Sequence, residues 1–150
     1  MKKIFTIILT ALMISGCGGE AKEAVTEEQS TMTKVENQIK IQIDNKIFNA
    51  TLENNPTVEA FLNKLPLNIE LEELNGNEKY YRFDEKFPTN DSNPKTIHTG
   101  DLMLFSGNYF VMFYKDFSTG YSYTRLGKID NIEGLTEAVG KGNIKIKITK

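Results

Sequence analysis

The 150-residue chain holds two arginines, Arg82 and Arg125, and each sits among aromatics: Tyr80-Tyr81-Arg82-Phe83 and Tyr121-Ser122-Tyr123-Thr124-Arg125. A guanidinium can bind a carbonyl or carboxylate while neighbouring rings hold an apolar group. Tyr121, Tyr123 and Arg125 share one face if the segment is extended. The same residues would also serve as solvated arginines stacked on tyrosines for sheet stability, and the pattern alone leaves both readings open. The candidate ligand-binding set is Arg125, Tyr123, Tyr121, Phe113, Phe83 and Tyr81. No catalytic residue is expected. His98 is the sole histidine, which gives a metal site no supporting spacing. Asp101 follows Gly100 as a turn aspartate would, Ser118 and Ser122 have no visible base, and no glycine-rich loop is placed to cradle phosphate. No cofactor is expected.

The elements that must position these residues centre on 99–129. Asp101–Phe105 and Tyr109–Tyr114 read as two apolar strands joined across Ser106-Gly107-Asn108, and Tyr121–Leu126 reads as a third. Such a sheet needs cover on at least one face. Upstream, Ile39, Ile41 and Ile43 alternate with polar residues, turn at Asp44-Asn45-Lys46, and return through Phe48, Ala50 and Leu52. Asn55-Pro56 opens a helix that carries Val58, Phe61, Leu62 and Leu65 on one face until Pro66. Leu67, Ile69 and Leu71 alternate up to the Asn75-Gly76 turn, and a short strand is expected over Lys79–Phe83. The stretch from Asp84 to Thr99 is rich in turn formers and long for a connection, and it admits two readings: a site-lining loop or an excursion. Asn131–Val139 predicts a second short helix with Ile132, Leu135 and Val139 on one face. Ile144, Ile146 and Ile148 alternate with lysines as the first strand does, so the two ends of the domain are expected to pair and close a barrel. The expected fold is mainly β: a small closed β-barrel with two short helices.

The N-terminus carries an address. Lys2-Lys3 precedes an apolar run from Ile4 to Ile14, about eleven residues, the length of a signal core and too short to span a bilayer. The run ends in Ser15-Gly16-Cys17, which resembles a bacterial lipobox, and Cys17 is the only cysteine. That resemblance implies cleavage before Cys17, a diacylglycerol thioether on its sulfur and further acylation such as palmitate, enough chains for firm membrane anchoring. The expected organisation is a signal peptide over 1–16, a lipid-anchored flexible tether over 17–37 and a barrel domain over 38–150. The tether reading rests on Gly, Ala, Thr, Ser, Glu and Gln, too apolar-poor to order. The location this implies is the cell envelope, on the outer side of the cytoplasmic membrane or in an outer membrane. With no cysteine beyond Cys17, packing alone must stabilise the domain. A net charge of −2 without a basic stripe argues against a nucleic-acid partner.

Several short motifs in order, Glu78-Lys79-Tyr80 after Asn75-Gly76-Asn77, Gly100-Asp101-Leu102-Met103, Phe113-Tyr114-Lys115 and Tyr121 to Ile129, resemble the bacterial cyclophilin-like family from about Gln38 to Lys150. The resemblance implies a closed barrel with two capping helices. Cyclophilins isomerise X-Pro bonds with an arginine introduced by a Phe-His-Arg motif followed by Phe-x-x-Gln-Gly-Gly-Asp. Neither motif is present here, so the isomerase residues do not carry over. Three functions follow as expectations: a non-catalytic module binding a peptide or small apolar ligand, a prolyl isomerase or chaperone with a degenerate site, or an accessory to a flavodoxin-type redox protein.

Overall fold

The computed structural model describes residues 37–150; the expected signal peptide, Cys17 and the tether up to residue 36 lie outside the described residues. Two hairpins start the barrel. β1 (Gln38–Ile43) turns at Asp44 into β2 (Lys46–Leu52), with Ile39, Ile41 and Ile43 facing Ala50, Phe48 and Lys46 across the pair. After helix α1 (Pro56–Leu62), β3 (Leu67–Leu74) turns through Asn75 and Gly76, both at positive φ, into β4 (Glu78–Arg82). That pair of left-handed residues matches the twist of the strands it joins, which is why Asn-Gly marks tight hairpins.

Then come β5 (Thr96–Ile97), β6 (Asp101–Phe105), β7 (Tyr109–Phe113), β8 (Phe117–Ser118), β9 (Thr124–Ile129), helix α2 (Leu135–Val139) and β10 (Ile144–Thr149). Eight strands form a closed antiparallel barrel in the order β1-β10-β3-β4-β7-β6-β9-β2, and β5 and β8 make a separate two-stranded sheet. The seam expected between the two ends of the domain is present: Ile41 pairs with Ile148 and Ile43 with Ile146. Every barrel strand therefore has both neighbours within residues 38–149, so the hydrogen-bonded barrel is complete without the preceding segment.

The interior is the inward half of each alternating strand, with Ile39, Ile41, Leu71, Leu102, Phe110, Met112, Leu126 and Ile148 all buried. Removing that much apolar surface from water, at about 25 cal/mol per Å², is what holds a domain without disulfides. α1 brings Val58 and Phe61 onto this core, and Phe61 stacks on Phe110 with ring centroids 5.5 Å apart. Its start is built as the sequence indicates, since the Asn55 side chain accepts from the Val58 amide at 2.8 Å and Pro56 takes the first helical position. The helix ends at Leu62, one turn earlier than the apolar spacing suggests, with Asn63 as its C-cap. α2 is shorter than expected. Gly134, at positive φ, starts it at Leu135; Leu135 and Val139 are buried, whereas Ile132 stays outside the helix and exposed.

The long connection after β4 is fastened at each step. The Phe83 and Phe87 amides donate to the Asn108 and Gly107 carbonyls, and both rings enter the core. Thr57 donates to the Pro88 carbonyl at 2.6 Å. Further on, the Asn90 amide donates to Thr124 Oγ1, Thr124 donates to Asp91, and Ser92 and Tyr123 exchange backbone hydrogen bonds at 2.9 and 3.0 Å. This connection thereby fixes the backbone of Tyr123.

Among the described residues no helix is long and apolar enough to cross a membrane.

Candidate functional site

Strands β6 and β7 are apolar on both faces, so one set of side chains must be covered from outside the barrel. Met103, Val111, Phe113 and Tyr123 form this second apolar cluster with Ile97, and Tyr80, Phe105, Tyr109 and Phe117 pack against it. The rings run on continuously. Tyr80 meets Tyr109 at 5.9 Å, Tyr109 meets Phe105 at 6.4 Å, Phe105 meets Tyr123 at 5.5 Å, Tyr123 meets Phe113 at 5.6 Å, and Phe113 meets Phe117 at 5.7 Å. Tyr121 reaches Phe105 edge-on at 5.9 Å while remaining 67% exposed.

Over these rings lies a groove of about 370 Å³, between the β3–β4 turn and the segment from Phe117 to Tyr121. Tyr80, Tyr109, Tyr121, Tyr123, Phe105 and Phe117 supply its rings, Asn75, Asn77 and Glu78 polar groups on one wall, and Ser118 and Thr119 polar groups on the other. Volume and composition are those of a small-molecule site, mostly apolar with few polar groups. Burial pushes the Glu78 carboxyl above its ordinary value, and the neighbouring Glu73 charge pushes it the same way. Burial likewise raises the Tyr123 phenol, partly offset by a hydrogen bond with Thr119, and the charge of Glu78 adds to the rise. The Tyr80 hydroxyl donates to Glu72 at 2.8 Å, which raises its pKa and holds the ring in place.

The structure brings together part of the residue set expected from the sequence. Tyr121 and Tyr123 line the groove, whereas Phe113 is fully buried beneath it and does not line it, packing edge-on against Tyr123. Tyr81 and Phe83 are elsewhere: they pack on each other at 5.0 Å in the barrel core. The reason is register. On β4, Lys79 and Tyr81 turn inward, so Glu78, Tyr80 and Arg82 turn outward. Nor is Tyr121 in a strand, because β9 begins at Thr124, three residues later than the alternation suggests. Tyr123 makes an isolated bridge to Ser92 instead.

Arg125 lies on β9 and does not line the groove. Its guanidinium is held 3.3 Å from Glu53 and 3.3 Å from the buried Asp101. Asp101 in turn accepts the His98 amide at 2.8 Å, the turn role its sequence position suggests. Arg82 lies over the Tyr109 ring at 5.9 Å. The imidazole of His98 faces Asp116 at 3.4 Å, both largely exposed. Among the described residues no three His, Cys, Asp or Glu side chains gather to hold a metal.

Tyr80, Phe105, Tyr109, Phe117, Asn77 and Glu78 are absent from the ligand-binding set expected from the sequence, although Asn77, Glu78 and Tyr80 fall in its motifs. The signal for three of them is that Asp101–Phe105 and Tyr109–Phe113 carry apolar residues at successive positions, so an outer face with Phe105 and Tyr109 needs cover, and Phe117 supplies part of it.

No curated protein matches the chain. Among solved structures, the solution structure of the hypothetical protein AF2241 from Archaeoglobus fulgidus is similar, with a TM-score of 0.52 and 15% identity, covering 80% of this chain and 98% of that one. At that identity the likeness speaks for the fold alone. The sequence pattern of the Cyclophilin-like family matches residues 41–149, the whole barrel apart from its outermost residues, and the chain belongs to that family.

Proposed function

We propose that this chain is a lipid-anchored, non-catalytic binding module whose barrel presents the outer aromatic groove to a peptide or small ligand outside the cytoplasm. The observation that carries the reading is the groove: a concave, ring-lined surface of about 370 Å³ built on paired strands, with Asn75, Asn77 and Glu78 on one wall and Ser118 and Thr119 on the other as its polar groups. Arg125 favours binding over isomerisation. An arginine that polarises a prolyl peptide must be free beside the proline pocket, and this one is engaged by Glu53 and Asp101. A role beside a flavodoxin-type protein has only the family resemblance behind it. The Lys2-Lys3 pair, the apolar run and the Ser15-Gly16-Cys17 junction support the anchor, and with it an envelope location.

Two measurements test the proposal. In the first, the isotope-labelled barrel domain, residues 37–150, is titrated with a proline-containing peptide and followed by NMR. Perturbed amides are expected around Phe105, Tyr109 and Tyr123, with cis/trans exchange of the peptide no faster than in buffer. Accelerated exchange that disappears in Arg125→Ala would replace binding with catalysis. In the second, the full chain is expressed in a bacterium fed an alkynyl palmitate. Label is expected on the parent and none on Cys17→Ala; an unlabelled parent removes the anchor from the proposal.

A further inference from the structure

We propose that the groove takes a small organic cation, a protonated amine on an apolar body, with its ammonium against Glu78 and its body against the rings of Tyr80, Tyr109 and Tyr121. This inference rests on reading the groove as a binding site, and it assigns the class of ligand.

Charge complementarity carries it. Glu78 is the one charged side chain among the groove-lining residues. It is half-buried, and none of the ion pairs among the described residues involves it. The neighbouring cation in sequence, Lys79, points into the barrel, where its ammonium is spent on Glu73 and on the Gly140 and Gly142 carbonyls. The charge that acts on Glu78 is that of another carboxylate, Glu73. An apolar ligand covering this end would desolvate an unpaired carboxylate, and an anionic one would add like charge; both are costly. An ammonium brings opposite charge and pairs the carboxylate, which offsets the loss of its water.

Two further observations point the same way. Asn77, beside Glu78 in the groove lining, has a carboxamide oxygen that is buried without a hydrogen-bond partner. An ammonium brings three donors, enough for Glu78 and, once the Asn77 carboxamide turns toward the groove, for that acceptor. Secondly, the ring faces on this sheet suit a cation, since Tyr109 already has the Arg82 guanidinium 5.9 Å from its centroid. Arg82 does not line the groove and stands four residues along β4 from Glu78, about 13 Å at strand rise, so it leaves the acidic end open. Enclosure between the β3–β4 turn and the Phe117–Tyr121 segment favours a compact molecule over an extended chain.

The test compares three probes of one shape on the barrel domain: 4-phenylbutylamine, 4-phenylbutanol and 4-phenylbutyrate, each titrated at neutral pH and followed through the amides of Asn77, Tyr109 and Tyr123. The amine is expected to bind about tenfold more tightly than the alcohol, the order expected of a desolvated ion pair combined with ring faces, and the carboxylate most weakly. In Glu78→Gln the ratio of amine to alcohol falls towards one. Equal affinities, with shifts in the groove, overturn the cation assignment and leave the binding reading intact. Absence of groove shifts with every probe overturns both. Tighter binding of acetyl-Ala-Lys-Ala-amide than of the free amine overturns the small-molecule assignment. The three probes on the unsubstituted domain decide the matter even if Glu78→Gln does not fold.

Discussion

Lys79→Met is expected to lower the unfolding free energy of the barrel by about 3 kcal/mol, the low end of what removing one partner of a buried ion pair costs. Lys79 is completely buried, and each of its three ammonium donors is used: on Glu73 at 2.5 Å, on the Gly142 carbonyl at 2.5 Å and on the Gly140 carbonyl at 3.1 Å. Glu73 also accepts the Tyr114 hydroxyl at 2.9 Å and the Gly76 amide at 2.7 Å. One cation thus ties together β3, β4, the residue after β7 and the turn between α2 and β10. Methionine fills much of the volume but leaves two carbonyls and a carboxylate without their donor. The Glu73 side chain remains 22% exposed, so water recovers part of its loss, which keeps the cost at the low end.

The same network sets a pH dependence that urea midpoints can follow. Burial pushes the Glu73 carboxyl up, but the hydrogen bonds from Lys79, Tyr114 and the Gly76 amide, with the charge of Lys79, outweigh it and leave the pKa below its ordinary 4.5. A lowered folded pKa gives stability that is fully present above the unfolded value and is lost as pH falls through the folded one. The parent should therefore weaken on acidification below pH 4.5. Lys79→Met should weaken less over that range, since the strongest ligand of the carboxylate is gone. At the other extreme, burial, the bond to Glu73 and the charges of Glu73 and Glu78 push the Tyr114 phenol up from 10 to about 12. Its contribution is complete below pH 10 and lost as pH rises to about 12. A Lys79→Met domain as stable as the parent at neutral pH would show that the network contributes nothing net.

This buried lysine also explains what the sequence left hidden. The closure of the barrel was legible because Ile39, Ile41, Ile43 and Ile144, Ile146, Ile148 obey a period of two with polar neighbours outside, and the structure pairs those strands. The start of α1 was legible because Asn55 and Pro56 act locally. On β4 the same rule fails. A lysine at an inward position and a tyrosine at an outward one invert the usual hydropathy, so Tyr81 and Phe83 read as partners of Tyr121 and Tyr123 when they face the core. Arg125 read as a free cation because its partners are far away in the chain, at Glu53 and Asp101, and only the packing of β9 against its neighbours brings them close. The alternation of Tyr121, Tyr123 and Arg125 continues outside β9 because Ser92 holds Tyr123 extended, a tertiary effect that no local pattern encodes.

Gly127→Ala is expected to be at least as damaging as Lys79→Met, for a steric reason. Gly127 pairs with Leu52 on β2 and with Leu102 on β6, where the register shifts between Leu102 and Met103. A Cβ there would lie 2.3 Å from the Thr51 carbonyl oxygen, 2.7 Å from Leu52 Cα and 2.9 Å from a Leu52 methyl. Two of these three atoms are backbone, so the clash is relieved only by moving β2 away from β9. That seam is short: Ala50 with Ile129, Thr51 with Lys128 and Leu52 with Gly127 are its pairs. Losing one of them loosens the closure on which the whole interior depends. A loss of about 3–4 kcal/mol is expected, a large share of the 5–15 kcal/mol typical of a domain. Gly120→Ala is the control, since a Cβ there meets nothing within 4 Å, and it should change stability by no more than about 0.5 kcal/mol. Urea unfolding of both variants beside the parent decides it. Equal midpoints for Gly127→Ala and Gly120→Ala would mean that the β2–β9 seam tolerates a methyl group at Gly127. A large loss at Gly127 alone would mean that the barrel depends on a backbone contact between β2 and β9, the strand that carries Arg125 and begins directly after Tyr123 at the edge of the groove.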